Sequence, residues 1–292
     1  MPKKKQITIN TLIDEGRQKL HQAGVENPRR EAKLLLQYAF GLSAEQMLAF
    51  PRDQVLDDAV QVANYNAFIA RRAQHEPFAY ITAHKGFWTL DLKVSPASLI
   101  PRGDTESLIL TVLTYFPNKQ QALSVLDLGT GTGCLLLAIL AEYPQAWGLG
   151  VDINPEAARL ADENITRCHM RGRAWVIAGE WTKALASNMR FDCVVSNPPY
   201  IPTADLQTLM PDVRYYEPHQ ALDGGCDGLE AYRVLCQNLP LLLKENGFAF
   251  LEIGIHQAPA VCALAQAQGL HVVSVIKDLV GIERVIVLQN QR

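Results

Sequence analysis

The chain has 292 residues, enough for one large α/β domain or for a small domain beside a medium one. Apolar residues make up 48% and charged residues 20%, which removes compositional support for disordered, collagen-like and membrane-spanning classes. With 27 Lys plus Arg against 30 Asp plus Glu the net charge is -3, so no bulk basic excess points to nucleic acid.

The six cysteines, Cys134, Cys168, Cys193, Cys226, Cys236 and Cys262, contain no C-x-x-C pair. Neither a zinc cage nor a redox dithiol has its spacing, and no metal site is expected. Lys3-Lys4-Lys5 has the charge of a signal-peptide start, but Asp14 and Glu15 follow with no continuous apolar stretch. The longest apolar run, Cys134 to Ala141, is too short to cross a bilayer and ends at Glu142. These features lead us to expect a cytoplasmic monomer with no membrane partner.

The first part of the chain reads as helices. Asn27 offers an N-cap ahead of Pro28, and Ala32, Leu35, Leu36, Ala39 and Phe40 recur at helical spacing until Gly41. Ser43 and Gln46 fit a capping box, and Val62, Tyr65 and Ile69 stripe a later helix running toward Arg71-Arg72. Pro77 is expected to close this region. From Phe78 to Leu99 the texture becomes alternating, β-branched and aromatic, which suits a hairpin or extended linker. The expected division is a helical domain over residues 1–77, a hairpin linker over 78–100 and a third region over 101–292.

Beyond Pro101, short apolar runs alternate with helical stretches, as a parallel sheet with crossover helices requires. Strands are expected at Ser124–Leu128, Ala146–Ile153, Ala174–Ala178, Phe191–Ser196, Gly247–Ile253, His271–Lys277 and Arg284–Leu288. The last two are joined too tightly for a crossover helix, so they should pair as an antiparallel hairpin.

The loop after the first of these strands reads Asp127-Leu128-Gly129-Thr130-Gly131-Thr132-Gly133. Glycines there let the backbone pass close under a ligand at the carboxyl edge of the sheet. The spacing is G-x-G-x-G with Cys134 next, whereas a dinucleotide pyrophosphate favours G-x-G-x-x-G. A cofactor without phosphate fits better. Asp127 would pair with the ammonium of a methionine moiety and Asp152, ending the second strand, with both ribose hydroxyls; Trp181 would lie against an adenine face. Together these residues describe a pocket for S-adenosylmethionine (SAM).

Asn197-Pro198-Pro199-Tyr200 directly follows the fourth strand. Two prolines remove two backbone donors, so the turn presents carbonyl acceptors that no local N–H consumes. Asn197 Oδ1 and the Pro198 carbonyl would each accept one hydrogen of a substrate NH2 group, and Tyr200 would stack on its planar group. A conjugated nitrogen is a poor nucleophile, so catalysis must come from alignment, and no histidine is assigned a catalytic role.

These two motifs together resemble the class I SAM-dependent methyltransferases that modify planar NH2 groups. Further residues narrow the likeness: Glu76-Pro77 with Ala79-Tyr80-Ile81, Leu99-Ile100-Pro101-Arg102 with Thr105-Glu106, Glu217-Pro218 with Ala221-Leu222, Gly225 with Asp227-Gly228-Leu229, and Leu251-Glu252-Ile253-Gly254 with Gln257. The combination resembles the HemK/PrmC family of release factor glutamine methyltransferases over nearly the whole chain. The resemblance implies a Rossmann-like seven-stranded, mostly parallel sheet, with an N-terminal helical domain and a linking β-hairpin. It implies methyl transfer from SAM to the side-chain amide nitrogen of the glutamine in the Gly-Gly-Gln motif of class I peptide chain release factors, the helical domain helping to hold the partner. Gly129, Thr130, Gly131, Thr132, Gly133, Asp152, Trp181 and Asn197 would then line SAM, and Asn197, Pro198, Pro199 and Tyr200 would bind the glutamine. Ala83 stands where the family usually has Gly, Gly86 where it often has Glu, Gly103 where Pro is usual, and Glu180 where Asp is common beside Trp181.

Three alternatives remain open on sequence: glutamine methylation on a ribosomal protein, DNA adenine-N6 methylation, and a non-catalytic SAM-binding scaffold. Thr105-Glu106 favours the release factor group. The acidic balance and the absence of an evident target-recognition domain count against DNA.

Overall fold

The computed structural model describes residues 8–49 and 58–290 and divides the chain into two compact units. Lys3-Lys4-Lys5 lies outside the described residues.

One unit comprises the chain up to Ala83 together with Pro211–Tyr216. Its helices are α1 (Ile9–Gln22), α2 (Pro28–Phe40), α3 (Ala44–Ala49), α4 (Ala59–Ala73) and α5 (Phe78–Thr82). Leu12, Leu20, Leu35, Leu36, Tyr65 and Ile69 belong to its core, on the inward faces of α1, α2 and α4. Gly16 lets α1 approach α4 closely: a Cβ there would lie 2.1 Å from the Tyr65 hydroxyl, which donates to the Leu12 carbonyl at 2.9 Å.

The Ser43–Gln46 capping box forms reciprocally, with Gln46 N–H donating to Ser43 Oγ at 3.1 Å and Ser43 N–H to Gln46 Oε1 at 2.8 Å. Asn27 takes the N-cap position in a left-handed conformation, φ 48°, and its side chain makes no capping bond. Its carbonyl instead accepts from Arg30 and Glu31, while Pro28 supplies the helical φ. The buried Arg72 guanidinium on α4 pairs with Glu31 at 2.8 Å and with Asp212 of the Pro211–Tyr216 turn at 3.1 Å.

Pro77 opens a helix rather than closing the helical region. With φ -55° its carbonyl accepts from Tyr80 and Ile81, and burial of Ala79, Tyr80 and Ile81 favours a turn of helix where the residue texture suggested extension. This helix ends at Ala83, φ 57°, a left-handed C-cap that glycine adopts without Cβ strain. Ala83→Gly is therefore expected to stabilise the protein by about 0.5–1 kcal/mol in urea denaturation; equal or lower stability would contradict this.

The second unit spans His84–Met210 and the chain from Glu217 onward. It opens with the hairpin β1 (His84–Phe87) and β2 (Leu90–Lys93), closed at Trp88, whose φ of 55° is unusual for a bulky residue. Two carboxylates hold it: Trp88 N–H donates to Glu106 Oε1 at 3.0 Å and the indole N–H to Glu142 Oε1 at 2.7 Å. A Cβ on Gly86 or Gly103 meets nothing within 4 Å, so each position has room for a side chain.

The remaining elements are α6 (Glu106–Tyr115), β3 (Ser124–Leu128), α7 (Cys134–Glu142), β4 (Trp147–Asp152), α8 (Pro155–Arg167), β5 (Ala174–Ala178), β6 (Phe191–Ser196), α9 (Pro211–Tyr216, described above), α10 (Glu230–Leu242), β7 (Leu243–Glu252), α11 (Ala258–Ala267), β8 (His271–Lys277) and β9 (Glu283–Gln289). The sheet order is β5-β4-β3-β6-β7-β9-β8, parallel except for β9, which runs antiparallel to both neighbours. This is the seven-stranded, mostly parallel α/β sheet expected from the alternating pattern. The antiparallel final hairpin is also as expected, its turn fixed by Asp278 Oδ1 accepting from Val280 and Ile282.

β7 begins at Leu243, four residues earlier than the apolar run from Gly247 indicates, because Leu243 already pairs with Phe191 before a register shift. Two cores flank the sheet: α6 and α7 pack on one face and α10 and α11 on the other. β3 is buried along its whole length, and the chain leaves it for β4 on one side and returns to β6 on the other. Such a switch point opens a crevice at the carboxyl ends of β3 and β6, where ligands bind in open α/β sheets.

Candidate active site

The two sequence motifs emerge at that crevice. Gly129 and Thr130 N–H groups both donate to the Val151 carbonyl, at 2.8 and 3.0 Å, folding the glycine loop back over the end of β4. Gly129, Gly131 and Gly133 all have positive φ, a path open to glycine at little cost. Asn164 on α8, fully buried, accepts from Lys93 N–H at 2.8 Å and donates to the carbonyls of Lys93 and Thr132 at 3.0 and 2.9 Å. One side chain thus ties the glycine loop to the end of the hairpin.

A cavity of about 320 Å³ lies over this loop. Gly129, Thr130, Gly131, Thr132, Asp152, Trp181, Asn197 and Pro199 stand on its wall. Asp127, Gly133, Pro198 and Tyr200 do not. Asp127 lies under the loop at 1% exposure, where Oδ2 accepts from the Thr130 hydroxyl at 2.6 Å and from Leu136 N–H at 3.3 Å, and Oδ1 has no hydrogen-bond partner. It shapes the loop from below.

Burial pushes the Asp127 carboxyl up to about 7, against the pull of Thr130 and Leu136. An acid whose folded pKa is raised is destabilising once ionised. Its penalty is absent below the unfolded value near 4 and complete above about 7. Asp127→Asn is expected to raise the stability of the ligand-free protein at pH 8 by roughly 2–4 kcal/mol and to change it little near pH 4. Thermal melts at the two pH values check this; a gain of the same size at both would contradict it.

Asp152 Oδ2 accepts from Gly131 N–H at 2.8 Å and Oδ1 from Asn154 N–H at 2.9 Å. Each oxygen has capacity for a second bond and the residue stands on the cavity wall, so it carries the acceptor pair a vicinal diol needs. Burial raises its pKa, and the two backbone bonds oppose that rise. The Asn154 side chain reaches the Ala97 carbonyl at 2.8 Å, fixing the wall opposite. The ring of Trp181, φ 49°, comes within 3.8 Å of the place a Gly129 Cβ would occupy, so an aromatic side chain borders the loop. An acceptor carboxylate beside an aromatic ring and a bare backbone loop fits the nucleoside part of SAM.

Asn197 leaves β6 with its Nδ2 donating to Thr105 Oγ1 at 3.2 Å, which turns its Oδ1 away from Thr105. The following residues are locked from behind: Gln257 Nε2 donates to the carbonyls of Tyr200 and Gly228 at 3.0 and 3.1 Å, and its Oε1 accepts from Gly254 N–H at 2.9 Å. A Cβ on Gly228 would sit 2.5 Å from the Tyr200 carbonyl oxygen, so only glycine permits this approach. Ile201 pairs with Asp223, extending the clamp. Burial raises the Tyr200 phenol pKa and keeps it neutral.

Several wall residues lie outside the site read from the sequence, although each belongs to a motif that carries the family resemblance. Leu99, Arg102, Thr105, Pro218 and Ala221 all line the cavity. The Arg102 guanidinium pairs with the buried Glu217, whose other oxygen accepts from Ile100 N–H at 3.0 Å. The signal for them was that each belonged to a family motif with no chemistry yet attached.

A glycine loop and an acidic strand end, facing an Asn-Pro-Pro-Tyr turn across one crevice of this sheet, define a class I SAM-dependent methyltransferase. Residues 11–82 match the PrmC N-terminal domain and residues 104–211 the methyltransferase small domain. The chain is 43% identical to the release factor glutamine methyltransferase of Caulobacter vibrioides over 96% of each chain. It is 42% identical to that of Rhodospirillum rubrum, over 98% of this chain and 86% of the relative. A methyltransferase structure from Pyrococcus furiosus shares the fold at TM-score 0.51 and 17% identity, covering 79% of this chain and all of the other. The chain belongs to the release factor glutamine methyltransferase family. No described helix is long and apolar enough to cross a membrane.

Proposed function

We propose that this protein methylates the side-chain amide nitrogen of the Gly-Gly-Gln glutamine in class I peptide chain release factors. The observation that carries the reading is the juxtaposition of Asn197 and Pro199 with Gly129–Thr132 and Asp152 on the wall of one cavity. SAM, held by Asp152, Trp181 and the glycine loop, supplies an electrophilic methyl group on a sulfonium.

The chain's own residues supply alignment. Asn197 Oδ1 and the Pro198 carbonyl accept the two amide hydrogens, drawing the nitrogen lone pair out of conjugation and toward the donor. Tyr200, held through its backbone by Gln257, shields the amide from water. The nitrogen becomes strongly acidic on alkylation, so its proton is lost to solvent as the products separate, without a dedicated base. The helical unit, up to Ala83, helps hold the release factor, the hairpin His84–Lys93 follows it, and the remaining sheet unit carries out transfer.

Incubation of purified release factors with SAM, followed by mass spectrometry, is expected to find one added methyl group on the Gly-Gly-Gln glutamine. Modification of a ribosomal protein or of DNA adenine instead, with none on release factor, would replace this reading.

A further inference from the structure

The proposed chemistry of the turn depends on which way the Asn197 carboxamide faces. Its two ends differ only in N and O, and a flipped amide would offer a donor to the substrate NH2, donor against donor. Something must hold one orientation.

Two side chains stand behind it. Ser196 of β6 pairs with Leu251 of β7, so Asn197, just past the end of β6, and Glu252, the last residue of β7, are neighbours across the two strands. Thr105, 2% exposed, accepts from Asn197 Nδ2 at 3.2 Å. Glu252 is also 2% exposed, and its Oε2 is buried without a hydrogen-bond partner. Arg284, the cation nearest in the network, bonds Asp278 at 3.0 Å and Asp104 at 3.1 Å. A buried carboxylate with an unpartnered oxygen costs stability, so its presence calls for another reason.

We propose that Glu252 is a positioning residue for methyl transfer: with Thr105 it occupies the NH2 end of Asn197 and so presents Oδ1 to the substrate amide. The chemistry is one-sided. In its ionised form the carboxylate only accepts, so it tolerates the Asn197 NH2 and repels Oδ1. Burial pushes the Glu252 carboxyl up to about 7, and hydrogen bonding by Thr105 and Asn197 pulls it back toward the ionised form, consistent with donors directed at it. The inference rests on the reading of the Asn-Pro-Pro-Tyr turn as an amide clamp, but it can be tested apart from it.

The first readout needs no substrate. In the wild-type protein, both Nδ2 protons of Asn197 are expected to be protected from exchange in NMR. In Glu252→Gln at least one should lose protection. Unprotected protons in the wild type, or protection unchanged in the variant, overturn the inference whatever the substrate proves to be. If protection behaves as expected but the wild type leaves release factor unmethylated, the functional reading fails while the orientation stands.

The second readout is a ranking. Glu252→Gln keeps shape and loses charge, whereas Glu252→Asp keeps charge and loses a methylene. A packing role predicts that Gln retains more activity than Asp, and a positioning role predicts the reverse. We expect Glu252→Gln to lower kcat at least about tenfold, with SAM affinity and the KM for release factor within about twofold and the melting temperature at pH 8 no lower. Glu252→Asp should keep more of kcat. Wild-type kcat in Glu252→Gln, or a loss that follows SAM affinity or thermal stability, contradicts the proposal.

Discussion

Asn197→Ala is expected to lower kcat for glutamine methylation by about 10²- to 10³-fold while SAM affinity changes by no more than a few-fold. Asn197 borders the cofactor cavity with one side chain among many, and the loop and Asp152 hold themselves through bonds that do not involve it. Its removal therefore leaves the cofactor wall in place. What is lost is one of two acceptors for the substrate amide, and with it the alignment of a weakly nucleophilic lone pair. The same substitution leaves Thr105 Oγ1 without its donor, a smaller structural cost that a thermal melt separates from the kinetic one. Full activity in this variant would defeat the alignment mechanism; a parallel collapse of SAM affinity would move Asn197 from substrate alignment to cofactor binding.

Asp152→Ala should act on the opposite side of the site, weakening SAM binding by roughly 100-fold with a much smaller effect on kcat at saturating SAM. Hydrogen bonds to a charged acceptor contribute about 1.5–3 kcal/mol each, and a tenfold change in affinity corresponds to about 1.4 kcal/mol. The carboxylate also fixes Gly131 and Asn154, so its loss loosens the glycine loop at the same time. Asp152→Asn, which keeps one oxygen acceptor, should fall between the two. Isothermal titration with SAM measures all three proteins, and equal affinities across the set would remove Asp152 from the cofactor site.

The parts of the site legible in the sequence are those whose chemistry is local. Gly129-Thr130-Gly131 after a buried strand and Asn197-Pro198-Pro199-Tyr200 after another are continuous segments, and the strand rhythm alone places both at carboxyl ends of a parallel sheet. What the sequence hides is the layer that acts across the chain. Asn164 sits on the amphipathic helix α8, where a polar residue reads as solvent-facing, yet it is fully buried because two carbonyls and one N–H converge on it from β2 and the glycine loop. Gln257 reaches Tyr200 across 57 residues, and Thr105 meets Asn197 across 92. No periodicity encodes such meetings.

The same distinction explains Asp127. Its place just ahead of the glycines suggests direct contact with a ligand, but the alternation of β3 turns it beneath the loop, where it serves Thr130 and Leu136. Pro77 shows the converse: the residue itself is neutral between ending and beginning a helix, and the burial of the three apolar residues after it decides.

In the proposed arrangement Asn197 Oδ1 and the Pro198 carbonyl together hold a substrate amide facing the cofactor. A crystal structure of the protein with release factor and S-adenosylhomocysteine tests it most directly. The glutamine nitrogen should donate to both oxygens and point its open face at the sulfur of the bound product. A glutamine side chain held elsewhere in the cavity, or an Asn197 carboxamide turned with Nδ2 toward it, would contradict the account.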